Sequence, residues 1–380
     1  MDSIQNMTKE IKNLSSEELM KSVIQRVATG PELSKNISRE EAKASMDSIL
    51  NREVSDIRSA IFLIALRMKR ETEDENLGVQ DAMNENTSQI TCALDNVINV
   101  ADPYDGYTRN IPSSLYILPL LAELGFPAFS QGVESVGPKY GCTHHKILKL
   151  AGLDVLLSDK EVCDKLENKK IGWGYIDQSI FAPRLYGLKD LRSEIIKRPV
   201  ITTIEVLANP IKAKNTHFVT GYVHKPYPPI YLMLARNAGF DSSIVIRGTE
   251  GGIVPSLRQK ANAHFYLNKD KNDELIEIEP GKDLGINQTV RAVKIPDEFE
   301  KKTKLDKIEI KVDAKEIAKE SLKLGMDALS GTAGPMRDCI ALSTSIILQH
   351  VSQQSITDCF REINDVLDSG AALKRFKEAL

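Results

Sequence analysis

Three short polar stretches hold the residues whose types and spacing suit chemistry. The first is Asp102-Pro103-Tyr104-Asp105-Gly106-Tyr107-Thr108-Arg109-Asn110, with Ser113 three residues on. Ser113 stands at the N-cap position of an apolar helical pattern (Leu115, Ile117, Leu118, Leu121, Leu124, with Gly125 as the stop). A helix start presents unpaired N–H groups and a partial positive charge. Thr108, Arg109, Asn110 and Ser113 add side-chain donors, so this loop suits a phosphate or carboxylate. Arg109 has little packing reason to stand in such a turn. The second stretch, Gly137-Pro138-Lys139-Tyr140-Gly141-Cys142-Thr143-His144-His145, precedes a helix over 146–150. His144 and His145 suit an acid or anion donor there, and equally a cap and a surface residue. The third is Gly248-Thr249-Glu250-Gly251-Gly252, where Glu250 suits a metal ligand or a solvated carboxylate. Ordinary strand-to-helix connections also draw on Gly, Pro and Thr. Two such loops side by side, each with a basic residue, point to a ligand cleft.

The elements that must position these loops follow from periodicity. Strands are expected over 97–100 and 126–129, each running into one of the polar loops. Further on come a helix near 160–168 and an apolar run over 200–207. Strands over 218–223 and 243–247 enclose a helix over 229–238, which is the alternation of a mainly parallel sheet. In such sheets ligands bind beyond the carboxyl ends of the strands, where Glu250 falls. Three helices, 314–329, 336–351 and 356–368, close the chain.

The first eighty or so residues read as helical. Ser15 with Glu18, Ser38 with Glu41 and Thr72 with Glu75 form capping boxes. Leu19, Val23 and Val27 form one apolar stripe, Met46, Ile49 and Leu50 another. A third helix, from Ser55, carries Ile57, Ile61, Ile64, Ala65 and Met68. The polar run 84–88 lacks stripe residues and predicts a hinge.

A chain of 380 residues exceeds what one core usually holds, so two domains are expected. With 42% hydrophobic and 27% charged residues it is of globular type, and no apolar run has membrane-spanning length. The first twelve residues lack a hydrophobic segment behind a basic one, which predicts a cytoplasmic protein. Five cysteines without Cys-x-x-Cys spacing predict free thiols, Cys142 being the one in the cleft. A net charge of −3 gives no general attraction for nucleic acid or membrane. One local basic cluster, Arg184, Lys189, Arg192, Lys197 and Arg198, can cradle an anion or pair with Asp190 and Glu194 as a solvated face.

The runs 38–50, 53–56 and 65–72, Leu191-Arg192, Leu207-Ala208-Asn209-Pro210, and 329–338 resemble the anthranilate phosphoribosyltransferase family over nearly the whole chain. The resemblance implies an α/β fold: a small all-helical N-terminal domain (1–84, joined by part of 180–205) and a larger domain (93–380). The larger domain has a mainly parallel central sheet flanked by helices. It also implies a homodimer through the helical domain, Mg²⁺ as cofactor and a phosphorylated small molecule in the interdomain cleft.

The family's motifs are altered here. Asp102 to Gly106 replaces a glycine-rich pyrophosphate loop, leaving Asp105 and Gly106 at the site. Asn110-Ile111-Pro112-Ser113 keeps an Asn and a hydroxyl but has proline where a metal-binding serine sits. Gly132 alone survives from a Lys-His-Gly-Asn segment, and Lys139, Gly141, Thr143, His144 and His145 replace a serine-rich loop. Thr249-Glu250 replaces a magnesium-binding Asp-Glu pair, while Arg192 matches an anthranilate-contacting arginine. The chain thus resembles the family's divergent paralogues. The expected function is pentosyl transfer between a phosphorylated or pyrophosphorylated ribose and an aromatic or anionic acceptor. The alternative is a non-catalytic binder of nucleic acid or another anion.

Overall fold

The computed structural model describes residues 13–30, 32–301 and 311–380. It opens with α1 (Ser16–Val27), α2 (Arg39–Leu50), α3 (Asp56–Lys69) and α4 (Glu73–Glu85). All three capping boxes form, and Ser55 caps α3 by accepting from Arg58 N–H. The stripes on α1 and α2 are buried. On α3 the stripe is corrected: Ile57 and Met68 are 73% and 75% exposed, and Phe62, Leu63 and Leu66 are buried instead. This helix is apolar on two faces, and periodicity cannot choose between them.

Strand β1 (Ile90–Thr91) follows, then β2 (Asn96–Ala101), α5 (Ile117–Glu123), β3 (Ala128–Gly132), α6 (His144–Ala151), α7 (Asp159–Glu167) and β4 (Trp173–Asp177). Four short helices come next, α8 (Gln178–Phe181), α9 (Pro183–Tyr186), α10 (Lys189–Ile195) and α11 (Ile201–Ile204). They lead to β5 (Ile211–Lys212), β6 (Asn215–Tyr222), α12 (Tyr227–Asn237), β7 (Ser242–Arg247), β8 (Ala261–Tyr266) and β9 (Glu274–Ile278). After α13 (Pro280–Leu284) and a short β10–β11 hairpin (Glu300–Lys301 with Lys311–Val312), the chain ends in four helices: α14 (Ala314–Leu329), α15 (Pro335–Ser352), α16 (Ile356–Ser369) and α17 (Ala371–Glu378).

The seven-stranded sheet has the order β4-β3-β2-β6-β7-β8-β9. It is parallel from β4 to β7 and antiparallel for β8 and β9, two strands that the sequence reading did not anticipate. The chain leaves β2 toward β3 and β4, then returns to β6 on the other side. A topological switch point therefore lies at the carboxyl ends of β2 and β6. Alternate residues feed two cores. Val97, Phe129, Phe218 and Val245 join the core that holds the buried residues of α7, α12 and the helices α1–α4, while Ile98, Val100, Val219 and Ile244 join that of the C-terminal helices.

Three local expectations are corrected. Ser113 makes no side-chain cap, because its backbone (φ −122, ψ −14) is not extended; a 3-10 turn over 114–116 leads into α5. Helix α6 begins at His144, capped by Thr143, so both histidines lie in its first turn. Cys92 and Cys163 form a disulfide across 71 residues, because the loop after β1 packs on α7. Cys142, Cys339 and Cys359 are free and buried. Around the expected hinge, Arg184 donates to Asn51 (2.5 Å) and Asn86 (2.8 Å), and Ser88 N–H donates to the Phe181 carbonyl (2.7 Å). No helix among the described residues is long and apolar enough to cross a membrane.

Helix α14 packs on the buried ring of Tyr116, whose hydroxyl donates to the Ser321 carbonyl (2.7 Å). Any Cβ on Gly325 would fall into that ring. Gly325→Ala is expected to destabilise the fold by about 1–3 kcal/mol, read as a lower urea midpoint with an unchanged slope.

Candidate active site at the carboxyl ends of the strands

The loops after β2, β3, β4 and β7 converge, and their polar groups fall into three connected sets. The first is an anion nest. Backbone N–H groups of Thr108 (3.0 Å), Arg109 (2.8 Å) and Asn110 (2.8 Å) all donate to the Glu250 carboxylate. Thr108 Oγ1 (3.3 Å) and Asn110 Nδ2 (3.1 Å) donate to the same group. Successive N–H groups turned inward make an anion-binding concavity, whereas the sequence pointed to the side chains of Thr108, Arg109 and Asn110 beside a helix start. Its occupant is the chain's own carboxylate, delivered by Glu250, a left-handed residue (φ 55) between Thr249 and Gly251. Lys139 Nζ stands 3.8 Å from Glu250 and 3.2 Å from Asp105. Asp105 also accepts from Arg198 (2.6 Å). Gly106 turns at φ +74 with no room for a side chain against Cys142, and Gly141 likewise abuts the Tyr107 backbone. Arg109 is exposed, and its side chain makes no ion pair among the described residues.

The second set lines a cavity of about 10 Å³ with Gly132, Thr143, His144 and His145 on its wall. His144 Nε2 lies 2.9 Å from Ser114 Oγ and 3.2 Å from Asp102. Asp102 further accepts from Tyr107 (2.8 Å), from Ser114 and from the Ile253 N–H (3.2 Å). Burial pushes the Asp102 carboxyl up, but hydrogen bonds from His144, Ser114 and Tyr107 outweigh it and hold it below the usual range. His145 Nδ1 bonds Asp177 (2.8 Å), and Asp177 is likewise held low against its burial, by His145 and Ser179. Cys142 sits in the same wall with its thiol pushed up to about 12 by burial, so it is no nucleophile. Ser114 and Asp177 escaped the sequence reading, and Asp102, at the head of the first polar stretch, was given no role in it. Their signal, a carboxylate or hydroxyl at a strand's carboxyl end, was present but not specific.

The third set is Arg192 with Glu205. The guanidinium makes two 2.7 Å bonds to that carboxylate, with both side chains buried. Neither the free anion contact nor the pairing with Asp190 or Glu194 expected from sequence occurs. The basic cluster is likewise dispersed, since Arg184 binds Asn51 and Asn86, Arg192 is buried and Arg198 binds Asp105.

Mg²⁺ does not fit Glu250 as it stands, because five donors surround its two oxygens and Thr249 brings no second carboxylate. Among the described residues, the one cluster of His, Cys, Asp or Glu close enough to share an ion is Cys92, Cys163 and Glu167, where the disulfide holds both sulfurs.

The helical bundle domain of a glycosyl transferase family matches residues 21–87. An uncharacterised protein of Aquifex aeolicus is 31% identical over 255 residues, covering 66% of this chain and 73% of that one. The anthranilate phosphoribosyltransferase of Petrotoga mobilis is 25% identical, with 93% of this chain and 94% of that enzyme covered. In fold, the Saccharomyces cerevisiae anthranilate phosphoribosyltransferase in complex with PRPP and Mg superposes at a TM-score of 0.71 and 14% identity, covering 96% and 98% of the two chains. The chain belongs to the anthranilate phosphoribosyltransferase family.

Since the folded pKa values of Asp102 and Asp177 are depressed, their contribution to stability is complete above the unfolded carboxylate value, about 3.9, and is lost as pH falls through the folded values. Asp177→Asn is therefore expected to cost roughly 1–3 kcal/mol at neutral pH, with the gap to wild type closing in strong acid. Urea titrations at both pH values measure it.

Proposed function

We propose that this protein transfers a pentosyl group from a phosphorylated or pyrophosphorylated ribose to an aromatic or anionic acceptor bound at these loops. The observation that carries the reading is the nest at Thr108, Arg109 and Asn110, which already holds a carboxylate at the switch point of the sheet. Displacement at an anomeric carbon passes through a cationic sugar and leaves charge on the departing phosphate, so fixed N–H donors there stabilise the transition state. Arg109 and Lys139 stand beside them as cations. In this reading the ligand's phosphate replaces Glu250, which withdraws on its flanking glycines. The acceptor differs from anthranilate in its contacts, because Arg192 is already neutralised by Glu205.

Competition from Glu250 weakens the ligand. With two charge-assisted bonds of roughly 1.5–3 kcal/mol each at stake, Glu250→Ala is expected to tighten phosphoribosyl pyrophosphate binding by at least about tenfold. Calorimetry with and without Mg²⁺, joined to detection of pyrophosphate release over a panel of aromatic acids, tests the reading. Absence of saturable binding in both proteins would overturn it. Tightened binding without release in any mixture would favour the second reading, a non-catalytic anion binder. That reading draws support from the internal partners already held by Asp105, Glu250 and Arg192.

The assembly proposed is a homodimer through the helical layer, because Ile57, Ile61 and Met68 form an exposed apolar row on α3. Light scattering is expected to give a dimer mass, and Ile57→Asp with Met68→Asp a monomer mass; a monomeric wild type at micromolar concentration would contradict it.

A further inference from the structure

A cavity of about 300 Å³ opens between the segment 290–294, the last turns of α14 and the start of α15. Val290 and Val293 form one wall, Leu324 and Ala328 another, and Pro335 and Met336 close the end. Both walls are anchored to the fold. The Val293 carbonyl accepts from the Ile111 N–H (2.8 Å), and α14 is held by the Tyr116 hydroxyl at the Ser321 carbonyl (2.7 Å). A mostly apolar hollow of this volume stands at the lower end of what small-molecule sites enclose.

Two exposed side chains of opposite sign stand at its edge, Lys294 beside Val293 and Asp327 one turn after Leu324. Among the described residues, neither the Lys294 ammonium nor the Asp327 carboxylate has a hydrogen-bond or ion-pair partner. The third charged residue of the lining, Arg337, is already matched. Its guanidinium donates to Asp368 (2.6 Å), to Asn364 (2.9 Å) and to the Gly331 carbonyl (2.7 Å). The charges left open are therefore one cation and one anion at the rim of an apolar floor. A monocarboxylate would satisfy Lys294 but meet Asp327 as a like charge, and an amine would meet Lys294 in the same way. A zwitterion complements both.

We propose that this cavity binds an apolar α-amino acid, its side chain between the walls, its carboxylate toward Lys294 and its ammonium toward Asp327. Burial of the side chain supplies most of the affinity, because exposed ion pairs are individually weak. The two charges set selectivity instead, since a ligand that lacks one of them leaves a protein charge without its partner. Lys294 carries its ammonium on a flexible stem and closes over the carboxylate once the side chain is seated.

Phenylalanine is a suitable probe, with 3-phenylpropionate and phenethylamine, each lacking one of its charges, as counter-probes titrated against the full chain by calorimetry at low salt. Phenylalanine is expected to bind saturably and a few-fold more tightly than either, the effect of one exposed ion pair. Lys294→Met is expected to lower phenylalanine to the affinity of phenethylamine and to leave phenethylamine unchanged. Asp327→Asn should give the mirror result with 3-phenylpropionate. Both side chains are exposed, so neither change threatens the fold. Ala333→Trp at the mouth and Leu324→Asn on the half-buried wall, checked by circular dichroism for an intact fold, are expected to weaken all three ligands at least about tenfold. No saturable phenylalanine binding, a counter-probe that binds as tightly as phenylalanine, or binding unchanged in both wall variants would each overturn the proposal. None of these outcomes bears on transfer at the strand ends.

Discussion

The carboxylate of Glu250 ties the loop after β7 to the loop after β2, across the central strand β6. Three backbone N–H groups and two side-chain donors converge on it, and such groups are costly to bury unpaired. Glu250 thereby fixes Thr108, Arg109 and Asn110 in one arc and places Lys139 between two carboxylates. It also accounts for the glycines around it, since a Cβ at Gly221 or Gly248 would run into the Gly252 backbone.

The same demand for pairing governs the rest of the site. Arg192 is matched by Glu205, His145 by Asp177, and Asp102 by a hydroxyl, a phenol and an imidazole. The Arg192–Glu205 pair is weak as a net stabiliser, because desolvation offsets most of the attraction, but removing either partner leaves a buried charge and costs about 3–5 kcal/mol. Most charged groups of the site therefore already have partners before any ligand arrives. A phosphorylated ligand gains little from bulk attraction and must compete with groups already in place, which separates this chain from a site built around a metal ion and open glycines.

Much of the fold was legible in the sequence because it rests on local rules. The capping boxes at Ser15, Ser38 and Thr72, the helix 314–329 and the strands around 97–100 and 243–247 follow from spacing that nothing distant overrides. The antiparallel strands β8 and β9 were missed because Asn262, His264, Glu274 and Glu277 interrupt the apolar pattern on half-exposed faces of the sheet's end. Ser113 failed as a cap because the neighbouring hydroxyl, Ser114, is drawn toward Asp102.

By itself, the sequence determined which residues could hold charge and where the chain would turn: the donors at Thr108 to Asn110, the glycines around Glu250, and the basic residues Lys139 and Arg192. Tertiary structure alone decided their partners. Glu250 and Asn110 are 140 residues apart, and the Cys92–Cys163 bridge spans 71. No local pattern encodes such distances, because strand order rather than chain order sets which loops meet. Whether a cation is free or neutralised depends on what burial brings beside it, and burial is a property of the assembled sheet and its two layers of helices.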